Sequence, residues 1–187
     1  MISLTLDRRR ILIFSQNGRL ICLLSAGERE RLGDIQIDYL HQSEDVMHES
    51  AVKMVVLSPL LSLAGFYRSP FRIVAEKSIK IQEKDDGHLF RGLIDVLVLN
   101  RHLWVMVVES KRNTFSLEVA RPHALTYMLA NPNIDGPTFG LISNGINFRL
   151  IKLMGCEYAE SNDFSLRNLD DMEQLLRVLK YLGRLVG

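Results

Sequence analysis

The spacing of apolar residues changes along this chain, and each change marks an element. Val52, Val55, Val56, Leu60 and Leu63 recur at intervals of three and four, which predicts an amphipathic helix with Gly65 as its C-terminal cap. Asp34, Asp38, Glu44, Asp45 and Glu49 form an acidic stretch leading into it. Pro59 withholds a backbone donor, so this helix is either kinked or divided in two. From Phe71 the pattern becomes extended: Arg72 to Ile81 reads as a strand, Asp85-Asp86-Gly87 as a turn, and Leu93 to Leu99 and Leu103 to Val108 as two strongly apolar, central strands. Ser116 to Ala130 is partly helical, with its main body starting at Pro122 and ending at Asn131-Pro132. Thr138 to Ile142 and Ile146 to Leu153 are strands around Ser143-Asn144-Gly145. A last amphipathic helix covers about 169 to 185, with Asp170, Asp171 and Glu173 early and Arg177, Lys180 and Arg184 late, matching the helix dipole.

The order is therefore helix, three strands, helix, two strands, helix. No Ser/Gly/Pro linker, low-complexity tract or internal repeat interrupts it. This predicts one α/β domain over 1–187, a central mixed sheet between helices, with its core at about 47–153. Ile11 to Phe14 and Leu20 to Leu24 suggest a hairpin about Asn17-Gly18; residues 1–31 are otherwise unassigned.

Composition narrows the function. The 23 Lys and Arg against 22 Asp and Glu leave a net charge of +1, which excludes a generally basic coat for polyanions, so any nucleic-acid site is a local patch. Cys22 and Cys156 form no CxxC, supporting neither a disulfide framework nor a cysteine zinc site, and a reducing cytoplasm is the expected setting. The longest apolar stretch, Ala51 to Phe66, carries Lys53 and Pro59 and falls short of the about 20 residues that span a bilayer. The apolar run after Arg8-Arg9-Arg10 is broken too early, by Gln16 to Arg19, to read as a signal peptide.

Candidate chemistry centres on Asp95, which interrupts a segment apolar on both strand faces and so needs a partner or a metal. The following strand ends in Glu109-Ser110-Lys111, where Glu109 and Lys111 share a face. A hairpin over Asn100-Arg101-His102 that sets Leu99 opposite Leu103 places Asp95 opposite Val107, with Glu109 its diagonal neighbour within roughly 8 Å. A two-residue turn shifts this register by one and turns Glu109 to the opposite face. Two carboxylates and a backbone carbonyl are the oxygen donors that hold Mg²⁺. Lys111 would then position or deprotonate a metal-bound water attacking a phosphodiester. The plainer reading of Asp95, Glu109 and Lys111 is an ion-pair cluster at strand ends. Glu49, on the stripe of Val52 and Val56, is either a third inward acid or a first-turn carboxylate favoured by the helix dipole. His123 and Tyr127, four apart on a helix, either contact a phosphate or base or are a boundary histidine and a packed tyrosine. The remaining histidines have no zinc-hydrolase spacing, and the chain has no GxxxxGK[ST], strand-linked GxGxxG or GxSxG.

At these residues the sequence resembles the PD-(D/E)XK nuclease superfamily, and in particular stand-alone, cyanobacterial-type proteins named after the type I restriction endonuclease R subunit. The segments that carry the resemblance are Glu49 to Ser78, Arg91 to Leu99, Leu103 to Arg112, Phe115 to Pro132 and Phe139 to Leu153. It implies a restriction-endonuclease-like core. Glu49 corresponds to the acid of the first helix, Asp95 and Glu109 to metal ligands together with the Ser110 carbonyl, and Lys111 to the catalytic lysine. Relatives with a QxxxY helix carry Gln where this chain has His123, while Tyr127 is kept. The implied activity is Mg²⁺-dependent DNA hydrolysis, with Mn²⁺ as a substitute, leaving 5′-phosphate and 3′-hydroxyl ends. No ATP-driven motor is implied, since the chain has no Walker motif.

Arg101, Arg112 and Arg121, with Lys111, are the phosphate contacts expected near the site. Loss of Arg112 is expected to weaken binding to all DNA sequences alike, read as a smaller salt slope. Two other classes compete with the nuclease: a non-catalytic nucleic-acid-binding or complex-forming subunit that keeps the fold, and a structural protein dimerising through Leu175, Leu179, Leu182 and Val186 of the last helix.

Overall fold

A computed structural model describes residues 22–43, 47–82, 89–100, 103–110, 116–133 and 136–186, with the backbone alone at 80–82, 89–91, 103–110 and 186. The suggested hairpin about Asn17-Gly18, the turn at 85–87, and Arg101, Lys111 and Arg112 lie outside the described residues.

A helix begins where the sequence predicts none. Helix α1, Ala26–Gln42, starts with a reciprocal cap: the Ser25 side chain accepts from the Glu28 N–H, and the Glu28 carboxylate accepts from the Ser25 N–H at 2.8 Å. Ser25-Ala26-Gly27-Glu28 is the S-x-x-E pattern of a capping box, a signal the apolar spacing does not carry. Leu32, Ile35 and Tyr39 are the buried stripe of α1. Cys22 to Leu24, expected in a strand, precede the helix as irregular chain.

The second helical run has three parts, α2 (Glu49–Val52), a π turn (Lys53–Leu57) and α3 (Ser58–Leu63), joined without leaving helical dihedrals. The alternatives of a kink or two helices resolve as this wide turn. Pro59 cannot donate to the carbonyl four residues back and its ring crowds that turn; just before it, Ser58 N–H bonds to the Lys53 carbonyl, five residues back, as in a π-bulge. The run ends as expected. Gly65 takes φ 92°, Phe66 N–H reaches the Leu61 carbonyl and Gly65 N–H the Ser62 carbonyl, a Schellman cap.

The sheet comprises β1 (Phe71–Gln82), β2 (Leu89–Asn100), β3 (Leu103–Ser110), β4 (Thr138–Ser143), β5 (Asn147–Met154) and β6 (Glu157–Glu160) in that spatial order, with β7 (Phe164–Ser165) also paired to β5. Among the described residues only β3 and β4 run parallel; the other pairs are antiparallel. Helix α4, Leu117–Leu129, is the crossover that a parallel pair requires. It starts five residues before Pro122, because Ser116 accepts from the Glu118 N–H and sets the cap there; Pro122 is inside the helix, not at its start. The short β6 and β7 have too few residues to show a period, and the sequence reading did not separate them.

Two apolar layers cover the sheet. On one face, α1, the α2–α3 run and α5 (Leu169–Val186) pack on Val96, Val98, Phe139, Leu141, Phe148 and Leu150. On the other, α4 lies over Ile79, Ile94, Leu97, Ile142 and Ile151. Leu175, Leu179 and Leu182 are at most 1% exposed in the chain's own core. These three residues of the stripe expected to form a dimer face are thus covered internally, which corrects that expectation for them; the Val186 side chain lies outside the described atoms. Glu28 joins α1 to Lys180 of α5, and Arg29 pairs with Glu173 at 3.2 Å. Burial opposes the charge on Glu28, but Lys180 and the Ser25 cap outweigh it and hold the carboxyl below its ordinary value.

The β4–β5 turn also supports the site. Gly145 has φ 86°, and an added Cβ would lie 3.0 Å from both Val52 methyl carbons. Gly145→Ala is therefore expected to cost more than about 1 kcal/mol, through left-handed strain and pressure on α2 one residue before Lys53. Thermal denaturation checks this, and an unchanged melting temperature would contradict it.

Candidate active site

Asp95 is 7% exposed and lies where β2 breaks its own alternation. Ile94 and Leu97 belong to the α4 face and Val96 and Val98 to the other. Asp95 meets Lys53 from that second side, so two successive residues, Asp95 and Val96, look toward the α2–α3 run. The neighbouring strand compensates. Ala75 pairs with Val96 and Lys77 with Ile94, leaving Glu76 across from Asp95 at φ 51°, the only non-glycine with positive φ among the described residues. Both strands are irregular at one rung, so the β1–β2 register is unchanged on either side of it. Left-handed backbone in a residue with a side chain is costly and concentrates at functional sites. Glu76 is itself exposed.

Lys53 is a partner of Asp95. Its ammonium donates to Asp95 Oδ1 at 2.7 Å and lies 3.2 Å from Glu49 Oε1. Burial disfavours the lysine's charge, but the hydrogen bonds and charges of Asp95, then Glu49, more than reverse this and raise its pKa. Two of the expected acids, Glu49 and Asp95, thus converge on one cation from a helix and a strand far apart in sequence. The sequence reading passed over Lys53, although it is the only charged residue between Ala51 and Phe66. The reasoning applied to Asp95 also applies to a lone cation in an apolar run. Beside the pair a cavity of about 350 Å³ opens, walled by Met54, Leu57, Tyr67, Ile73 and Ala75.

The hairpin register differs from the one expected. Asn100 pairs with Leu103 and Leu99 with Trp104, so the loop has two residues, but beyond Trp104 the register slips and Val98 pairs with Met106, Leu97 with Val107 and Val96 with Val108. Asp95 is therefore not opposite Val107. A bulge absorbs one residue of β3 after the tight turn, and Asp95 and Glu109 flank the same pair, Val96↔Val108. The backbone of Glu109 and Ser110 continues in parallel register with Ile142 and Ser143 of β4. The side chains of Glu109 and Ser110, and the whole of Lys111 and Arg112, lie outside the described atoms. Among the described residues no three His, Cys, Asp or Glu side chains form a cluster able to hold a metal.

His123 and Tyr127 are brought together on α4, their rings 6.4 Å apart and nearly perpendicular. His123 is exposed and Tyr127 is 8% exposed. A Cβ on Gly92 would lie 2.5 Å from Cε1 of Tyr127, so β2 needs glycine at 92 to admit the ring. This pair sits on the α4 face, across the sheet from Glu49 and Lys53. Arg121 is committed to Glu118 at 2.5 Å and Glu160 at 3.5 Å. Arg149 joins the same cluster, bonding Asp163 at 2.6 Å and Glu118 at 2.8 Å, and these carboxylates, Asp163 foremost, raise the pKa of its guanidinium. Cys22 and Cys156 are free thiols. Among the described residues no helix is long and apolar enough to cross a membrane.

This is a mixed sheet flanked by helices with a restriction-endonuclease-like core, as the sequence predicts. Part of the DrdV–DNA complex determined by cryo-electron microscopy shares the fold, with a TM-score of 0.52 and 15% identity, covering 83% of this chain and 14% of that one. A fragment of a putative HsdR subunit of a type I restriction enzyme from Vibrio vulnificus YJ016 aligns at a TM-score of 0.46 and 17% identity, over 74% of this chain and 26% of that one. The chain thus spans well under half of either protein. No family model and no curated protein matches its sequence.

Proposed function

We propose that this chain is a metal-dependent nuclease that hydrolyses DNA phosphodiester bonds. The observation that carries the reading is the convergence of Asp95 and Glu49 on a single cation, Lys53 Nζ, beside the strand that leads into Glu109-Ser110-Lys111. Their oxygen donors suit a hard divalent ion, Mg²⁺ or Mn²⁺. Asp95, Glu109 and the Ser110 carbonyl would hold it, with Glu49 as a further acid toward the ion or its water. When bound, such an ion supplies Lewis-acid polarisation and water of lowered pKa.

The chain's own groups supply the rest. Lys111, two residues after Glu109 in sequence, orients the attacking water and offsets charge developing on the phosphoryl oxygens. Arg101 and Arg112 contact phosphates; Arg121 does so only by leaving Glu118 and Glu160. Tyr127 packs against β2 at Gly92 from the α4 side, and His123, exposed beside it, is the substrate contact of the pair. The shared fold of a protein solved with DNA makes DNA the first substrate to test.

A second reading, a DNA-binding or complex-forming subunit without turnover, is favoured by one observation: Lys53 already pairs with both acids. Titrating Mg²⁺ at fixed chain and supercoiled plasmid separates them. The nuclease reading predicts nicking that saturates with Mg²⁺ and stops with EDTA. Metal-independent retention of plasmid with no nicking at any Mg²⁺ level would favour the binding subunit.

A further inference from the structure

Resting on that reading, we propose that Lys53 is a built-in cation of the metal site. It holds Asp95 and Glu49 in place without metal and yields them to a divalent ion, so its charge sets the affinity for metal. The geometry makes the two competitors. Lys53 Nζ is 2.7 Å from Asp95 Oδ1 and 3.2 Å from Glu49 Oε1, so an ion bound by those same oxygens would lie within close repulsive range of the ammonium. Asp95 has a side chain 9% exposed, and a buried carboxylate is costly without opposite charge close by, which Lys53 supplies at 2.7 Å.

Lys53 also has somewhere to go. Its side chain is 23% exposed and borders the cavity of about 350 Å³ whose walls include Met54, Leu57 and Ile73. The four-carbon stem can lie along those apolar walls while the ammonium turns to solvent. The π turn that starts at Lys53 is a local feature of a kind that recurs at functional sites.

The test uses Mn²⁺ alone as probe, titrated calorimetrically into the full chain without DNA. Lys53→Gln keeps a hydrogen-bond donor without the charge, and it should bind Mn²⁺ about tenfold more tightly, the size of effect one neighbouring charge exerts on a carboxylate. Lys53→Arg should bind no more tightly than the unaltered chain. Without metal, Lys53→Gln should melt lower than the unaltered chain, and Mn²⁺ should narrow the difference. Equal or weaker binding by a folded Lys53→Gln overturns the proposal.

A second measurement needs no variant. Acylation of lysines in the unaltered chain, mapped by mass spectrometry, should rise at Lys53 on adding Mg²⁺; unchanged labelling with metal bound overturns the proposal. Asp95→Asn distinguishes the two levels of failure. Mn²⁺ binding that depends on Asp95 but not on the charge at 53 sinks this inference alone, whereas no Mn²⁺ binding by the unaltered chain sinks the metal-site reading with it.

Discussion

Asp95→Asn is expected to lower metal-dependent DNA cleavage by about a thousandfold or more while leaving the chain folded. The substitution conserves shape and keeps an oxygen that can accept from Lys53, so the 2.7 Å hydrogen bond has a successor. What it removes is the charge. A neutral amide is a poor ligand for a hard cation, and several kcal/mol of transition-state stabilisation depend on that cation. Rates of plasmid nicking, read beside thermal melts, check both halves. If Asp95 serves only as the counter-ion of Lys53, melting falls and any cleavage by the unaltered chain persists.

Phe66→Ala is expected to have the largest effect on stability. Phe66 follows the Schellman cap of α3, is fully buried, and meets Phe71 edge to face with ring centroids 5.2 Å apart. Its Cε1 lies 3.5 Å from where a Cβ on Gly183 of α5 would stand. One ring therefore holds together the end of the helical run, the start of β1 and the last helix. Its removal should cost about 3–5 kcal/mol, a large share of the roughly 5–15 kcal/mol that keeps a domain folded. The melting temperature should fall by the order of 10 °C. A fall of only a degree or two would mean that the core closes over the cavity, contrary to the packing described.

How much of this was legible in sequence depended on whether local pattern or long-range pairing decided the feature. The helical run from Glu49 was readable because its apolar stripe has a period of its own, and Gly65 because only a left-handed residue caps it cheaply. Helix α1 was missed because its stripe of Leu32, Ile35 and Tyr39 is sparse and its start is written in the polar pair Ser25 and Glu28. Pro122 misled because the cap at Ser116 outweighs one lost backbone donor. At the site, a carboxylate in an apolar strand announced Asp95, but the break in alternation that turns it toward Lys53 involves Glu76 on another strand. The bulge in β3 is likewise a matter of pairing, and spacing alone gave a different hairpin register. Lys53 was visible as a lone charge, yet its partners lie four residues away on the helix and 42 positions along the chain.

The most direct test of the central claim is cleavage of supercoiled, linear double-stranded and single-stranded DNA by the purified chain in Mg²⁺, Mn²⁺ or EDTA, beside Lys111→Ala prepared identically. The account predicts cutting of at least one form with either metal, none with EDTA, and loss of cutting in Lys111→Ala with DNA binding retained. Cutting that survives EDTA, or equal cutting by Lys111→Ala, would contradict it.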